Sequence, residues 1–145
     1  MYKYAQLDDV ANVIGVSDLA FQVNDPKLIP ITDAQYANKN IFICYYADGV
    51  IEGYYTKLTT NKIDNSLLAD GIDTMTITVE VYDYQDVFQN DWNGIITLDI
   101  DGVTKDLDVV NGVASTTFKA SVADTYLVKT VKGNFRNAEI EVTAQ

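Results

Sequence analysis

Ala69-Asp70-Gly71-Ile72-Asp73-Thr74-Met75-Thr76-Ile77-Thr78-Val79-Glu80-Val81 runs from a tight Asp-Gly turn into strict alternation of apolar residues with threonine or an acid. Side chains on a strand alternate between its faces, so Met75, Ile77, Val79 and Val81 share one side and the polar residues the other. The stretch therefore reads as a half-buried strand. The same order of polar turn and short strand returns at Asn111-Gly112-Val113-Ala114-Ser115-Thr116-Thr117-Phe118 and at Asp124-Thr125-Tyr126-Leu127-Val128.

Extending the pattern gives seven strands in the second half, at residues 62–67, 74–83, 94–100, 103–109, 112–120, 125–131 and 138–143. Their spacing suits a Greek-key sandwich. The period of two also places Ile96, Leu98 and Ile100 inward, with Val113, Phe118, Tyr126, Val128, Ile140 and Val142 on other strands. The chain has one cysteine, so no internal disulfide can staple the sheets, and apolar packing must hold them.

The first half reads differently. Residues 2–7 and 12–19 form a hairpin around Asp8-Asp9, and Asn24-Asp25-Pro26-Lys27 is a turn cluster. Leu28-Ile29-Pro30-Ile31 is extended, because Pro30 biases Ile29 away from the helical region. Thr32-Asp33-Ala34-Gln35-Tyr36 is the one helical turn, capped by Thr32 or Asp33. Residues 41–46, the turn Ala47-Asp48-Gly49 and residues 50–57 form a second hairpin. Thr59-Thr60-Asn61 is the linker candidate. The expected architecture is all-β: a small N-terminal β-hairpin module over residues 1–60, serving anchoring and oligomerisation, followed by an immunoglobulin-like β-sandwich over residues 61–145.

The Ala69-Asp70-Gly71 turn, the Thr74-Met75-Thr76-Ile77-Thr78 strand, the Asn111-Gly112-Val113-Ala114 strand and Asp124-Thr125-Tyr126 together resemble bacterial immunoglobulin-like domains of the invasin and intimin type. Asp124 stands where that family often has glycine, and residues 82–92 are longer and more aromatic than its usual linker. The first half resembles the opening module of small tail and virion-associated proteins of bacteriophages, through Tyr2-Lys3-Tyr4-Ala5-Gln6-Leu7, Val13-Ile14-Gly15-Val16-Ser17-Asp18-Leu19 and Tyr45-Tyr46-Ala47-Asp48-Gly49. These resemblances imply a scaffold for attachment and display, and a scaffold alone does not name a function.

Composition excludes several classes. A formal net charge of −11 repels a phosphate backbone, so nucleic acid is not an expected partner. No apolar run approaches about 18 residues and the first residues lack a secretory pattern, so neither a membrane span nor export is expected. There is no histidine, which removes the commonest general base and zinc ligand. The lone Cys44 lies in an apolar stretch and reads as a small buried hydrophobe with no activating partner.

Asp99-Ile100-Asp101-Gly102 with Asp106-Leu107-Asp108 raises a calcium reading, yet an EF-hand would need oxygen ligands where Val103 and Val110 stand. The alternative is a hairpin turning at Asp101-Gly102, with Leu98, Ile100, Leu107 and Val109 facing the core. Asp8-Asp9 and residues 70–73 fall in turns, where aspartate bonds to nearby backbone. No cofactor and no enzymatic activity are expected.

The expected functional surfaces are aromatic. Tyr84, Phe88 and Trp92 lie in an amide-rich loop suited to ligand contact, including a host-surface glycan. A tryptophan at the entry of a strand can equally cap the core. Tyr45, Tyr46, Tyr54 and Tyr55 are interface candidates, since adjacent tyrosines on a strand point to opposite faces. The expected role is a non-enzymatic bacteriophage virion structural protein, made in the host cytoplasm and placed in the virion. It would bind other virion proteins and further copies of itself. A bacterial surface adhesin or carbohydrate-binding module is the alternative.

Overall fold

The computed structural model describes all 145 residues. It is nearly all β, with 55% of residues in strands and 9% helical. The chain divides into two compact units, one of Met1–Tyr54 with Asp83–Val87 and one of Tyr55–Tyr82 with Phe88–Gln145. The sequence alone suggested one boundary near residue 60. The structure instead passes between the units after Tyr54, and a five-residue excursion, Asp83–Val87, belongs to the first unit.

In the first unit, β1 (Tyr2–Leu7) pairs antiparallel with β2 (Val13–Leu19) and, on its other edge, with β3 (Leu28–Pro30). Asp8 sets the first turn, its Oδ1 accepting the Val10 and Asn12 N–H groups at 3.0 and 2.8 Å. The short helix α1 (Asp33–Ala37) starts at Thr32, whose hydroxyl accepts the Gln35 N–H while the Gln35 side chain returns to the Thr32 N–H. That reciprocal pairing satisfies two donors that a helix start leaves open.

The expected strand at residues 41–46 is a correction. The chain forms a 3₁₀ turn over Lys39–Ile43, and only then β4 (Tyr45–Ala47), which pairs with β5 (Val50–Glu52). Asn38 caps the turn by accepting the Asn40 N–H at 2.8 Å. Ile41 and Cys44 are buried while Phe42 between them is exposed. A spacing of three matches a 3₁₀ turn, whose side chains eclipse at that interval, and not a strand. Cys44 is buried, and a Cβ on Gly53 would lie 2.8 Å from its Sγ, which requires glycine there. Gly53 also separates β5 from β6 (Tyr54–Thr60), splitting what the sequence read as one strand.

The second unit is a two-sheet sandwich. Its further strands are β7 (Ser66–Leu67), β8 (Met75–Asp83), β9 (Gly94–Ile100), β10 (Val103–Val109), β11 (Val113–Phe118), β12 (Asp124–Val131), β13 (Phe135–Arg136) and β14 (Glu139–Ala144). One sheet has the order β10-β9-β12-β14-β7 and the other β11-β8-β6-β13. β7 pairs in parallel with the last strand, β14. Thr59 and Thr60, read as a linker, end β6 within this sandwich. The expected strand at 62–67 shrinks to its last two residues, because Asp64 and Asn65 take left-handed φ of 53° and 50° in a 3₁₀ turn. Asx residues tolerate that region, which a continuous strand excludes.

Met75, Ile77, Val79 and Val81 are buried, as the alternation requires, with Ile96, Leu98, Leu107, Val109, Val128 and Val142. Val113 departs from this set. It lies opposite Glu80, and the neighbouring Ala114 opposite Val79, so β11 turns Ala114 and Thr116 inward and Val113 out. Ile100, Phe118, Tyr126 and Ile140 are half-buried. A buried hydrogen bond of 2.7 Å joins Thr56 and Thr130, one from each sheet, and both hydroxyls accept the Ala138 N–H. Three hairpin turns, Asp48-Gly49, Asp101-Gly102 and Asn111-Gly112, have positive φ at both residues. That is the twist-matched geometry the Asx-Gly pair favours.

Candidate functional site

Of the aromatic residues picked from the sequence, Tyr84, Tyr55 with Phe88, and Trp92 lie in three different environments. Asp83–Val87 is closed on itself: the Asp83 carboxylate accepts the Gln85 and Val87 N–H groups at 2.9 and 3.0 Å, and Asp86 takes φ of 64°. This turn carries Tyr84 into the first unit. Tyr84 is only 7% exposed and belongs to the apolar cluster of Ala5, Leu7, Val13, Ile41, Cys44 and Ile51. Its N–H donates to the Gly53 carbonyl at 2.8 Å, and its own carbonyl accepts from the Asn38 and Asn40 side chains at 3.1 and 3.2 Å. Gln35 Nε2 donates to its hydroxyl at 3.1 Å. With ring buried and polar atoms satisfied, Tyr84 is a structural anchor, which corrects its reading as a ligand-contact residue.

Tyr55, Tyr82, Phe88 and Lys57 form the second environment, within the second unit. Thr56 and Leu58 of β6 and Val81 of β8 face the core, so Tyr55, Lys57 and Tyr82 lie on the outer side of their sheet. The Tyr55 and Tyr82 rings stack with centroids 5.6 Å apart and planes 17° apart, and Phe88 tilts against Tyr82 at 5.6 Å. Lys57 Nζ stands 3.9 Å from the Tyr82 ring centroid and 6.0 Å from that of Tyr55. An ammonium that close to a ring face is held by the ring's quadrupole. The sequence placed Tyr55 and Phe88 in different candidate sets; the structure brings them into one cluster. Lys57 was missed, although its two-residue offset from Tyr55 on a strand was a usable signal.

Trp92 occupies the third environment. Its ring meets Phe135 edge-on at 5.5 Å, Lys132 Nζ lies 5.8 Å from its centroid, and its carbonyl accepts the Gly112 N–H at 2.8 Å. It is half-buried, neither the central core aromatic nor a freely presented ring. Nothing local in the sequence pointed to Phe135 or Lys132, because the approach depends on long-range strand order.

Tyr45, Tyr46 and Tyr54 are half-buried. Tyr46 packs against the first unit's core, whereas the Tyr45 hydroxyl lies 3.5 Å from a Glu52 carboxylate oxygen. Burial, and then the Glu52 charge, raise the Tyr45 pKa above its ordinary value.

The acidic turns do structural work. Asp99 accepts the Gly102 N–H at 2.7 Å, Asp101 the Leu127 N–H at 2.9 Å, and Asp106 the Thr97 hydroxyl at 2.7 Å. Asp70 accepts the Ile72 and Asp73 N–H groups, both at 2.8 Å, and Asp73 accepts the Leu68 N–H and pairs with Lys62, both at 2.9 Å. Backbone donors therefore lower the pKa of Asp70, chiefly through Asp73 N–H, and of Asp73, chiefly through Leu68 N–H. No helix is long and apolar enough to cross a membrane.

Compared with protein-family models and with curated proteins, the sequence matches none. Among solved structures, the chain is similar to a glycosyl hydrolase family 2 member from Bacteroides cellulosilyticus, with a TM-score of 0.57 and 14% identity over 70% of this chain and 17% of that one. It is also similar to a beta-glucuronidase from glycoside hydrolase family 2, with a TM-score of 0.54 and 19% identity over 70% of this chain and 14% of that one. The chain thus spans about a sixth of these enzymes or less. At such identities the likeness is one of fold. It agrees with the all-β sandwich that the strands of this chain build.

Proposed function

We propose that the chain is a non-enzymatic structural protein of a bacteriophage virion, attaching through its first unit and displaying the immunoglobulin-like second unit. The observation that carries this reading is the apolar surface of the first unit. Phe21 and Ile14 are 71% and 61% exposed, and Val10 and Phe42 of the same unit are exposed as well, although the unit's core is a small cluster. A small core with large apolar side chains left in water is suited to being covered by a partner. Other virion proteins and further copies of this chain are the partners proposed, and the resemblance of residues 2–19 and 45–49 to phage opening modules supports them. Phe88 and Trp92 are the remaining candidates for contact with a host-surface glycan. The likeness to family 2 hydrolases is one of fold and does not choose between this role and that of an adhesin.

Light scattering at micromolar concentration should show a species larger than one chain, and Ile14→Ser combined with Phe42→Ser should shift it toward the monomer without loss of the far-ultraviolet strand signal. Mass spectrometry of purified particles should find the chain among their proteins. A monomer that is also absent from particles would overturn the proposal.

A further inference from the structure

A cavity of about 330 Å³ opens between the two sheets of the second unit. Its origin lies in strand register. Leu107 and Val109 of β10 are buried, so the two-residue period turns Lys105 and Val103 toward the same side, yet both remain exposed. Opposite them, β11 turns inward with Thr116, which is too small to close the gap. Leu98 floors the cavity, and Phe118 and Tyr126, edge-on at 5.2 Å, form an aromatic wall. The Tyr126 hydroxyl already donates to the Val122 carbonyl at 2.9 Å.

Lys105 is the unusual member. It stands at a core-facing position, reaches from one sheet to the other to donate to the Thr116 hydroxyl at 2.8 Å, and forms no ion pair. In a chain of net charge −11, an ammonium without a carboxylate at the mouth of an apolar cavity is an open position for an anion. Asp101 is the only acid in the lining, and its Oδ1 accepts the Leu127 N–H at 2.9 Å.

We propose that this cavity binds a small apolar monocarboxylate, with its aryl or branched hydrocarbon body against Leu98, Phe118 and Tyr126 and its carboxylate on Lys105 and the Thr116 hydroxyl. The volume lies within the range of about 300–1,000 Å³ typical of small-molecule sites, and a few placed polar groups in an apolar lining are their usual form. The negative charge of Asp101 disfavours a second carboxylate. The competing account is that Lys105 is an inward-pointing charge that protects the edge strand β10 from pairing with other chains. That account predicts no ligand.

Titration of the ¹⁵N-labelled full chain with phenylacetate, phenylacetamide and phenylmalonate, followed by amide chemical shifts, separates the two. Phenylacetate should give saturable shifts confined to residues 98–105, 116–118 and 126. The neutral amide should bind about tenfold more weakly, as loss of a hydrogen bond to a charged group implies, and the dianion should also bind more weakly. Lys105→Met should abolish the preference for acid over amide. Absence of saturable shifts, shifts elsewhere, or equal affinity for acid and amide in the native chain would overturn the proposal. Because that last comparison needs no variant, a poorly folded Lys105→Met chain would not prevent a decision.

Discussion

The two units are held together in different ways. The second has two sheets facing each other across a largely apolar layer, with most of its strands six to nine residues long. The first gathers a three-stranded sheet, a two-stranded hairpin and two short helical turns around one small cluster, and part of that cluster comes from far along the chain at Tyr84. Apolar burial grows with layer area, so the sandwich depends on no single residue. The first unit, by contrast, depends on a five-residue segment fastened by amide side chains.

The sharpest way to break this comparison is truncation. Residues 1–60 alone lack Tyr84 and its backbone bond to Gly53, and should lose cooperative unfolding and dispersed amide resonances. Residues 55–145 keep every strand of the sandwich apart from Tyr54 and should stay folded. Residues 61–145, the module suggested by sequence alone, lack β6, which lies between β8 and β13, and should be strongly destabilised. A well-folded 61–145 fragment with native-like stability would remove the contrast.

Smaller in effect is the Tyr84 side chain itself. Tyr84→Ala empties a buried aromatic site and should cost about 3–5 kcal/mol. Hydrogen exchange should show the loss in residues 1–54 and leave β8, β9 and β12 protected. Tyr84→Phe keeps the ring and removes only the hydroxyl that Gln35 bonds, for about 1 kcal/mol. Equal loss of protection in both units would show that the segment supports the whole chain instead of the first unit.

The same contrast explains what could be read in advance. β9 and β10 were legible to the residue and β8 nearly so, because a period of two is a local signal and an Asx-Gly turn marks its end. Residues 41–46 read as a strand because an apolar run resembles one until the spacing of three between Ile41 and Cys44 is noticed. β6 was assigned to the wrong half since nothing local records that it pairs with residues far along the chain. Tyr84 failed for the same reason: its partners at Gln35, Asn38, Asn40 and Gly53 are distant in sequence. A loop rich in tyrosine and amides looks alike whether it faces a ligand or its own core. The cavity was illegible too, although each strand lining it was read, because it arises where a small residue, Thr116, faces a lysine at a core position across the sandwich.

Acid should weaken turns in both units. The pKa of Asp8 is lowered mainly by the Asn12 N–H, and those of Asp70 and Asp73 by backbone donors. A carboxylate with a lowered native pKa contributes stability that is fully present above its ordinary value of 3.8 and lost as pH falls from there through the native value. Urea midpoints should therefore hold steady down to about pH 5 and fall as the pH drops below about 4. Asp70→Asn keeps an acceptor for the same N–H groups and should flatten part of that dependence in the second unit only. An unchanged slope would mean that this turn does not sense pH.

The smallest expected effect belongs to Lys57. Its ammonium lies over Tyr82 in a cluster that is half-buried, and cation–π contacts at such positions contribute about 0.5–1 kcal/mol. Lys57→Met keeps most of the hydrocarbon stem against the rings and removes the charge. The urea midpoint of the second unit should fall by that small amount, and its salt dependence should change little because the ring carries no net charge. Lys57→Glu should cost more, since a carboxylate is repelled by the electron-rich faces of Tyr55 and Tyr82. If Lys57→Met and Lys57→Glu proved equal, the ammonium would be resting on the aromatic cluster without holding it, and the stack of Tyr55, Tyr82 and Phe88 would owe its order to ring packing alone.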